Sequence, residues 1–148
     1  MDSYHHSQSL GYLTGVAARL LNNLLTSRFS AAGIDMTAEQ WGVILMLLNH
    51  ESMTQRQISD VLQLEKSTVS RSISGLYRRG WVTCSKSARD SRQKLVTLTP
   101  AALDVAERCA AIAKSVLEDA QTGLDDKAAA ATRENLSEVI GNLRKLSH

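Results

Sequence analysis

The segment from Thr54 to Pro100 constrains the fold more than any other part of this chain. Its first half holds two short amphipathic patterns, with apolar residues at three- and four-residue steps, separated by the turn residues Gln63 to Glu65. Its second half changes to a two-residue alternation from Trp81 to Lys86, followed by a β-rich run from Leu95 to Leu98. We therefore predict two short helices joined by a tight turn, and then a β-hairpin.

Helix start and stop signals predict four further helices around this segment. Gly33 supplies a left-handed stop for the first helix, and the sequence that begins at Thr37 is a capping box for the second. Thr99 before Pro100 opens the fifth helix, and Asp125 precedes the sixth. These helices are expected over about residues 9–32, from 37, over 100–122 and from 126 onward.

The first, fifth and sixth helices carry apolar stripes that a small helix-turn-helix with a hairpin does not need for its own core. The stripes consist of Leu10, Leu13, Ala17, Leu20, Leu21, Leu24 and Leu25; of Leu103, Ala106, Ala110, Ala113 and Leu117; and of Thr132, Leu136, Val139, Ile140, Leu143 and Leu146. The simplest partner for them is a second copy of the chain. We predict a mainly α fold with a small β-hairpin wing (α+β). Residues 35–99 form a winged helix-turn-helix domain, with the helix-turn-helix at 54–79 and the wing at 81–98, and residues 1–34 and 100–148 form a helical dimerisation region.

The charge of the chain is concentrated in its middle. Between Thr54 and Lys94 there are nine Lys/Arg and three Asp/Glu, whereas residues 1–53 and 95–148 each sum to −2. A basic centre between acidic ends indicates a nucleic-acid partner. The longest apolar run, near Val43 to Leu48, is far shorter than the roughly 20 residues of a membrane span. Because the N-terminus also lacks a signal-peptide pattern, we expect a cytoplasmic protein that does not bind membranes.

Residues that could support catalysis or metal binding are scattered. Cys84 and Cys109 lie 25 positions apart and form no CxxC pair, and the histidines have no metal-ligand spacing. No nucleophile–base pair and no glycine-rich phosphate loop can be assembled. We therefore expect no enzyme activity, no metal and no cofactor, while a redox-responsive role of Cys84 or Cys109 stays open as an alternative.

The outward face of the second short helix carries small hydroxyl and basic residues. Its inward face is predicted to consist of Val69, Ile73, Leu76 and Tyr77. In a helix-turn-helix the second helix enters the major groove of DNA, and Arg71 has the forked geometry that binds guanine through two bonds. Serine and threonine near a helix start also act as caps, so each position has a structural alternative. The predicted DNA contacts in this part are Thr54, Lys66, Ser67, Thr68, Ser70, Arg71, Ser74 and Arg78.

The hairpin loop provides a second set of basic residues. A narrow minor groove concentrates negative potential and attracts arginine, which makes Arg89 and Arg92 candidate contacts together with Lys86. Asp90 repels phosphate, so it either pairs with Arg92 and fixes its direction or only forms the turn. Lys86, Arg89, Asp90 and Arg92 complete the predicted DNA-binding set.

Several short motifs occur along the chain in a characteristic order. They are Gly11-Tyr12, Gln40-Trp41, Ser67-Thr68-Val69-Ser70-Arg71, Arg79-Gly80-Trp81-Val82, Asp90-Ser91-Arg92 and Val96-Thr97-Leu98-Thr99. With these motifs nearly the whole chain resembles the MarR family of winged-helix transcriptional regulators. The chain departs from this pattern at Gly75, where relatives often carry a bulkier residue, and in lacking the first-helix cysteine of peroxide-sensing relatives.

The resemblance implies a homodimer with interlocked terminal helices that binds an inverted repeat in double-stranded DNA and represses nearby genes. It also implies that Arg92 enters the minor groove and that Asp90 orients it. A small aromatic or phenolic ligand would bind between the dimer helices and the winged domain, with Tyr12, Trp41 and Met46 as candidate pocket residues or plain core residues. A winged-helix module that binds protein instead of DNA is the alternative function.

Overall fold

The computed structural model describes residues 5–86, 88–89 and 92–147 of the chain. The helices are α1 (Leu10–Ala31), α2 (Ala38–Leu48), α3 (Gln55–Leu62), α4 (Lys66–Arg78), α5 (Pro100–Ala120) and α6 (Asp126–Leu146), and the strands are β1 (Met53–Thr54), β2 (Val82–Lys86) and β3 (Lys94–Leu98). A short 3-10 turn at His6–Gln8 precedes α1. The predicted mainly α fold with a small antiparallel sheet is confirmed. Over the described residues, no helix combines the length and apolar character that a bilayer crossing requires.

Side chains at the helix starts fix where α2 and α3 begin. The Thr37 hydroxyl accepts a hydrogen bond from the Gln40 backbone N–H at 3.1 Å, and Gln40 Oε1 accepts one from the Thr37 N–H at 2.9 Å. Thr54 and Gln57 form the same pair of bonds at 3.1 and 2.8 Å. Both predicted capping boxes are therefore present, and each satisfies two backbone donors that a helix start leaves without partners.

The sheet has a third strand that the sequence pattern did not predict. β1 pairs with β3, with Met53 opposite Val96, and the strand order is β1-β3-β2. A two-residue strand is too short to show an alternating pattern, which explains why it was missed. Because β1 ends where α3 begins, this pairing attaches the start of α3 to β3.

The chain forms two compact units, residues 1–116 and 117–148. In the first unit one hydrophobic cluster contains Phe29 from α1 and Cys109 from α5 together with Val69 and Val96. Helices α1 and α5 thus contribute to the same core as the helix-turn-helix, and the predicted domain boundaries at 34/35 and 99/100 stay a prediction. In the second unit, Asp125 caps α6 by accepting a hydrogen bond from the Ala128 N–H at 2.7 Å.

Helix α5 buries one side within the single chain and leaves another side accessible. Its buried residues are Ala102, Ala106, Cys109 and Val116, whereas Leu103 and Leu117 are exposed. Both leucines belong to the stripe for which the sequence predicts a second copy of the chain as partner. The two leucines are therefore available on the surface of the single chain.

Arg79 connects the end of α4 to the loop between α1 and α2. Its guanidinium forms an ion pair with Asp35 at 2.7 Å, donates to the Gly75 carbonyl at 2.7 Å and lies 5.9 Å from the centre of the Trp81 ring. A planar guanidinium satisfies such divergent partners better than a lysine ammonium does. This residue therefore helps to fix the direction of α4.

The buried glycine Gly75 sets how closely α4 approaches α2. A methyl group on its Cα would overlap the side-chain amide nitrogen of Gln40 and come within 3.1 Å of Arg79 Nη1. Gln40 is itself buried, and its amide oxygen is engaged in the capping box. Glycine costs about 1 kcal/mol of helix stability relative to alanine. At this position it allows the α4 backbone to pack closely against the Gln40 side chain.

Replacing Gly75 by alanine should not raise the free energy of unfolding, because the methyl group displaces Gln40 and weakens a cap worth about 0.5–2 kcal/mol, which offsets the gain of about 1 kcal/mol in helix propensity. Gly42, in α2, is the matched control, since a methyl group there meets only Leu62 Cδ1 at 4.0 Å. Gly42→Ala should raise the free energy of unfolding by about 1 kcal/mol. Denaturant titration measures both. Equal stabilisation by the two substitutions would contradict the packing argument.

Candidate nucleic-acid interface

The turn between α3 and α4 is fixed by Ser59. Its hydroxyl donates to the Leu64 carbonyl at 2.6 Å, and its own carbonyl accepts from the Leu64 N–H at 3.2 Å. Gln63 adopts the left-handed conformation with φ 53°. Ser59 is buried. As a polar residue outside the apolar pattern of α3, it was not predicted from the sequence to stabilise the turn. These bonds hold the two helices in a fixed helix-turn-helix arrangement.

Helix α4 separates into a buried and an exposed face. The buried residues are Val69, Ser72, Ile73, Gly75 and Leu76, and the exposed ones are Lys66, Ser67, Ser70, Arg71, Ser74, Tyr77 and Arg78. The prediction that Tyr77 faces inward was wrong, because its side chain is 59% exposed. Seven residues make nearly two helical turns, so Tyr77 lies almost directly in line with Ser70 and not with Val69.

Two of the predicted contact residues are less accessible than the others. The Thr54 hydroxyl accepts the capping bond from Gln57, and its backbone pairs with Leu95. Thr68 is only partly exposed. The side chains of Thr54 and Thr68 are partly accessible, whereas Ser67, Ser70 and Ser74 on the outer face of α4 are exposed.

The wing consists of β2 and β3 in antiparallel register, with Lys86 opposite Lys94 at its outer end. Arg89 and Arg92 are exposed, as is Lys86. Asp90 lies outside the described residues, so its pairing with Arg92 stays a prediction. The basic residues of the wing and the outer face of α4 belong to the same compact unit.

A cationic cleft, here called the α3 cleft, lies between the start of α3 and the outer end of β3. It has a volume of about 340 Å³ and is lined by Gln55, Arg56, Lys66, Arg92, Gln93 and Lys94. Of the described residues that line it, four are cations and none is a carboxylate. Gln55, Arg56, Gln93 and Lys94 were absent from the predicted set. Arg56 and Lys94 belong to the basic middle segment of the sequence. Only the pairing of β1 with β3 brings these two cations close together.

The three residues of the predicted ligand pocket occupy different environments. Trp41 is buried, with its ring edge-on to Phe29 at 6.2 Å. Tyr12 is exposed and contacts the His6 ring at 5.2 Å. Met46 packs against the core from a partly buried position. Trp41 therefore packs in the hydrophobic core, as the alternative interpretation of this residue predicted. The ligand pocket stays a prediction.

The two cysteines also differ. Cys109 is fully buried, with its Sγ 4.0 Å from Met36 Sδ. Burial raises the pKa of the Cys109 thiol, and the nearby Arg108 charge opposes this only in part. Since the thiolate is the reactive form, Cys109 is poorly suited to redox sensing. Cys84 is partly exposed. In the part of the chain that the structure describes, no three His, Cys, Asp or Glu side chains cluster in a way that could hold a metal ion.

A helix-turn-helix followed by a two-stranded wing defines the winged-helix class. The MarR family profile matches residues 34–93. An uncharacterised HTH-type transcriptional regulator of Bacillus subtilis, YwoH, is 35% identical over 83 residues, which are 56% of this chain and 58% of that protein. The chain thus spans a little over half the length of this curated relative.

Solved structures match over a larger part of the chain. The crystal structure of transcriptional regulator PA3341 has a TM-score of 0.77 and 32% identity, covering 93% of this chain and 99% of that one. A cysteine-to-serine mutant of MarR from E. coli, in complex with operator DNA, has a TM-score of 0.80 at 23% identity, covering 94% and 99%, and shares the fold. This chain belongs to the MarR family of transcriptional regulators, a family whose members are not enzymes.

Proposed function

We propose that the protein binds DNA in a sequence-specific manner as a homodimer and represses transcription from an inverted-repeat operator. The observation that carries this proposal is the outer face of α4, where small hydroxyl residues and Arg71 are exposed beside the four cations of the α3 cleft. Base-reading and phosphate-binding groups therefore lie on neighbouring parts of one unit. The operator complex of the E. coli relative supports the same use of this fold.

Each part of the interface has a different role in the proposal. Ser67, Ser70 and Ser74 are short, so the α4 backbone approaches the base edges closely, and Arg71 binds guanine through two hydrogen bonds. Arg56 and Lys66 bind backbone phosphates and fix the register. Arg89 and Arg92 bind the minor groove, with Asp90 as the residue that orients Arg92. Phosphate contacts supply affinity, and the α4 contacts supply sequence preference.

The exposed stripe of α1 supports a homodimer. Leu10, Leu13, Ala17, Leu20 and Leu24 are all exposed in the single chain and are spaced alternately by three and four residues. This spacing is the seam of helices that pack against one another along their length. In its own unit, α6 also presents Ile140, Leu143 and Leu146 on its surface. A second copy of the chain would cover these leucines and isoleucine, which a monomer leaves in water.

A two-fold dimer presents two copies of α4 to the DNA. Such copies engage successive major grooves about 34 Å apart, or a multiple of this distance, which requires an inverted repeat. A dimer on a promoter represses by blocking access to that DNA. Release by a small aromatic ligand is the part of the proposal that rests on the family resemblance alone.

Selection of bound fragments from the organism's own genomic DNA tests the proposal. The purified protein should enrich a few fragments that share an inverted repeat with half-sites about one helical turn apart. The position of this repeat in a promoter, and loss of transcription from that promoter when the protein is added in vitro, would support repression. Recovery of random fragments without a shared repeat would contradict sequence-specific binding.

A further inference from the structure

A second cleft lies between the end of α4 and the wing. It has a volume of about 300 Å³ and is lined by Tyr77, Cys84, Ser85, Lys86 and Lys94. We call it the wing cleft. Its described lining contains two cations and no carboxylate, and it shares Lys94 with the α3 cleft. Only Lys86 of its lining residues was predicted from the sequence to contact DNA.

The two lysines of the wing cleft face each other across the sheet. Lys86 and Lys94 are directly opposite in the antiparallel register of β2 and β3. Such residues have Cβ atoms roughly 5 Å apart, and like charges in this position destabilise a hairpin. Among the described residues, no carboxylate forms an ion pair with either ammonium group. A bound anion would remove this repulsion, whereas the free protein retains it.

Tyr77 adds a neutral hydrogen-bond donor to the same cleft. Its side chain is 59% exposed and lies in line with Ser70 and Ser74 on the outer face of α4. Tyrosine hydroxyls are among the groups that contact phosphate oxygens in protein–DNA complexes. A duplex with its major groove on this face of α4 passes a sugar–phosphate strand beside the end of the helix, where Tyr77 and the wing lysines lie.

We propose that the wing cleft binds one backbone phosphate of duplex DNA. Lys86 and Lys94 supply the positive charge, and the Tyr77 hydroxyl donates a hydrogen bond to a phosphate oxygen. This inference rests on the proposed DNA-binding function and names a second phosphate site beside the α3 cleft. The two opposed lysines lower the stability of the hairpin in the free protein and raise its affinity for DNA. Such a trade-off is common at functional sites.

Salt-dependent DNA binding of Lys86→Gln and Tyr77→Phe tests this site. The probe is a labelled duplex recovered from the genomic selection, compared with a scrambled duplex of equal length. Each phosphate contact contributes about −0.9 to the slope of log affinity against log salt. Because Lys94 remains beside the phosphate, Lys86→Gln should reduce the slope by up to about 1 for each protomer bound. The loss should be similar on both duplexes, since phosphate contacts are independent of sequence. Tyr77→Phe should weaken both without changing the slope.

Lys127→Gln, in the first turn of α6, is the matched control, because it removes the same charge outside the winged motif. It should leave the slope unchanged. The melting temperature of free Lys86→Gln should rise above that of the free wild-type protein, since the like-charge pair is gone. A slope and affinity for Lys86→Gln equal to those of the control, or a lower melting temperature, would overturn the wing cleft as a phosphate site.

Neutral phosphates locate the contact. Duplexes in which single phosphates are replaced by methylphosphonate should include one position per half-site at which the replacement weakens binding of the wild-type protein more than binding of Lys86→Gln. Absence of such a position would overturn the proposal for the wing cleft alone, provided that the wild-type protein binds its operator. A wild-type protein that binds neither duplex would overturn the proposed function as well.

Discussion

Replacing Arg71 by alanine should reduce operator affinity by at least about 30-fold. A bidentate arginine–guanine pair contributes about 1–3 kcal/mol of discrimination, and a dimer loses two such pairs. The combined loss of about 2–6 kcal/mol corresponds to about 30-fold to 10⁴-fold, at 1.4 kcal/mol for each factor of ten. Arg71 is exposed on the outer face of α4, so its removal should leave the core and the dimer unchanged.

Arg56→Ala is the matched comparison for this prediction. It removes the same side chain from the α3 cleft, where Arg56 is proposed to bind phosphate. Titration of both variants on the operator and on a scrambled duplex separates the two roles. Arg71→Ala should reduce the ratio of specific to non-specific affinity, whereas Arg56→Ala should weaken both to a similar extent and reduce the salt slope. An unchanged ratio for Arg71→Ala would exclude base recognition by this residue and favour a protein-binding role for the winged domain.

The elements that could be predicted from the sequence are those defined by local patterns. Thr37 with Gln40 and Thr54 with Gln57 mark helix starts within four residues, and both pairs form the expected bonds. Val69, Ile73 and Leu76 repeat with the helical period and are buried as expected. The position of α4 next to a wing followed from these patterns and from the charge of the segment.

The features that could not be predicted depend on contacts between distant segments. β1 exists because Met53 pairs with Val96, and the α3 cleft exists because this pairing brings Arg56 near Lys94. Neither contact leaves a periodic signal. Gly75 appeared unfavourable as a mid-helix glycine, and only its proximity to Gln40 explains it. Tyr77 lies at the edge of the buried face of α4. At such a position a small error in the assumed helical angle changes the prediction from exposed to buried.

Replacing Leu20 by glutamate should convert the proposed dimer into a monomer. Leu20 is 63% exposed in the single chain and lies in the α1 stripe between Ala17 and Leu24. In the monomer a glutamate there is solvated and has little effect on stability, but in the dimer it would place an unpaired charge in an apolar seam. Operator affinity should fall by about 10²-fold to 10⁴-fold, because the second half-site no longer binds as part of the same molecule.

Asn22→Glu is the matched control, because this substitution adds the same charge as Leu20→Glu at another position on α1. Asn22 is exposed and lies about 200° around the helix from Leu20. The mass of this variant in solution and its operator affinity should equal those of the wild-type protein. Light scattering after size-exclusion chromatography measures the mass, and titration of an operator with one or two half-sites measures the affinity. The Leu20→Glu variant should bind both operators equally, whereas the dimer should strongly prefer two half-sites. If Leu20→Glu stays dimeric with full affinity, the α1 stripe is not the dimer seam, and the two copies of α4 must be held together by other surfaces of the chain.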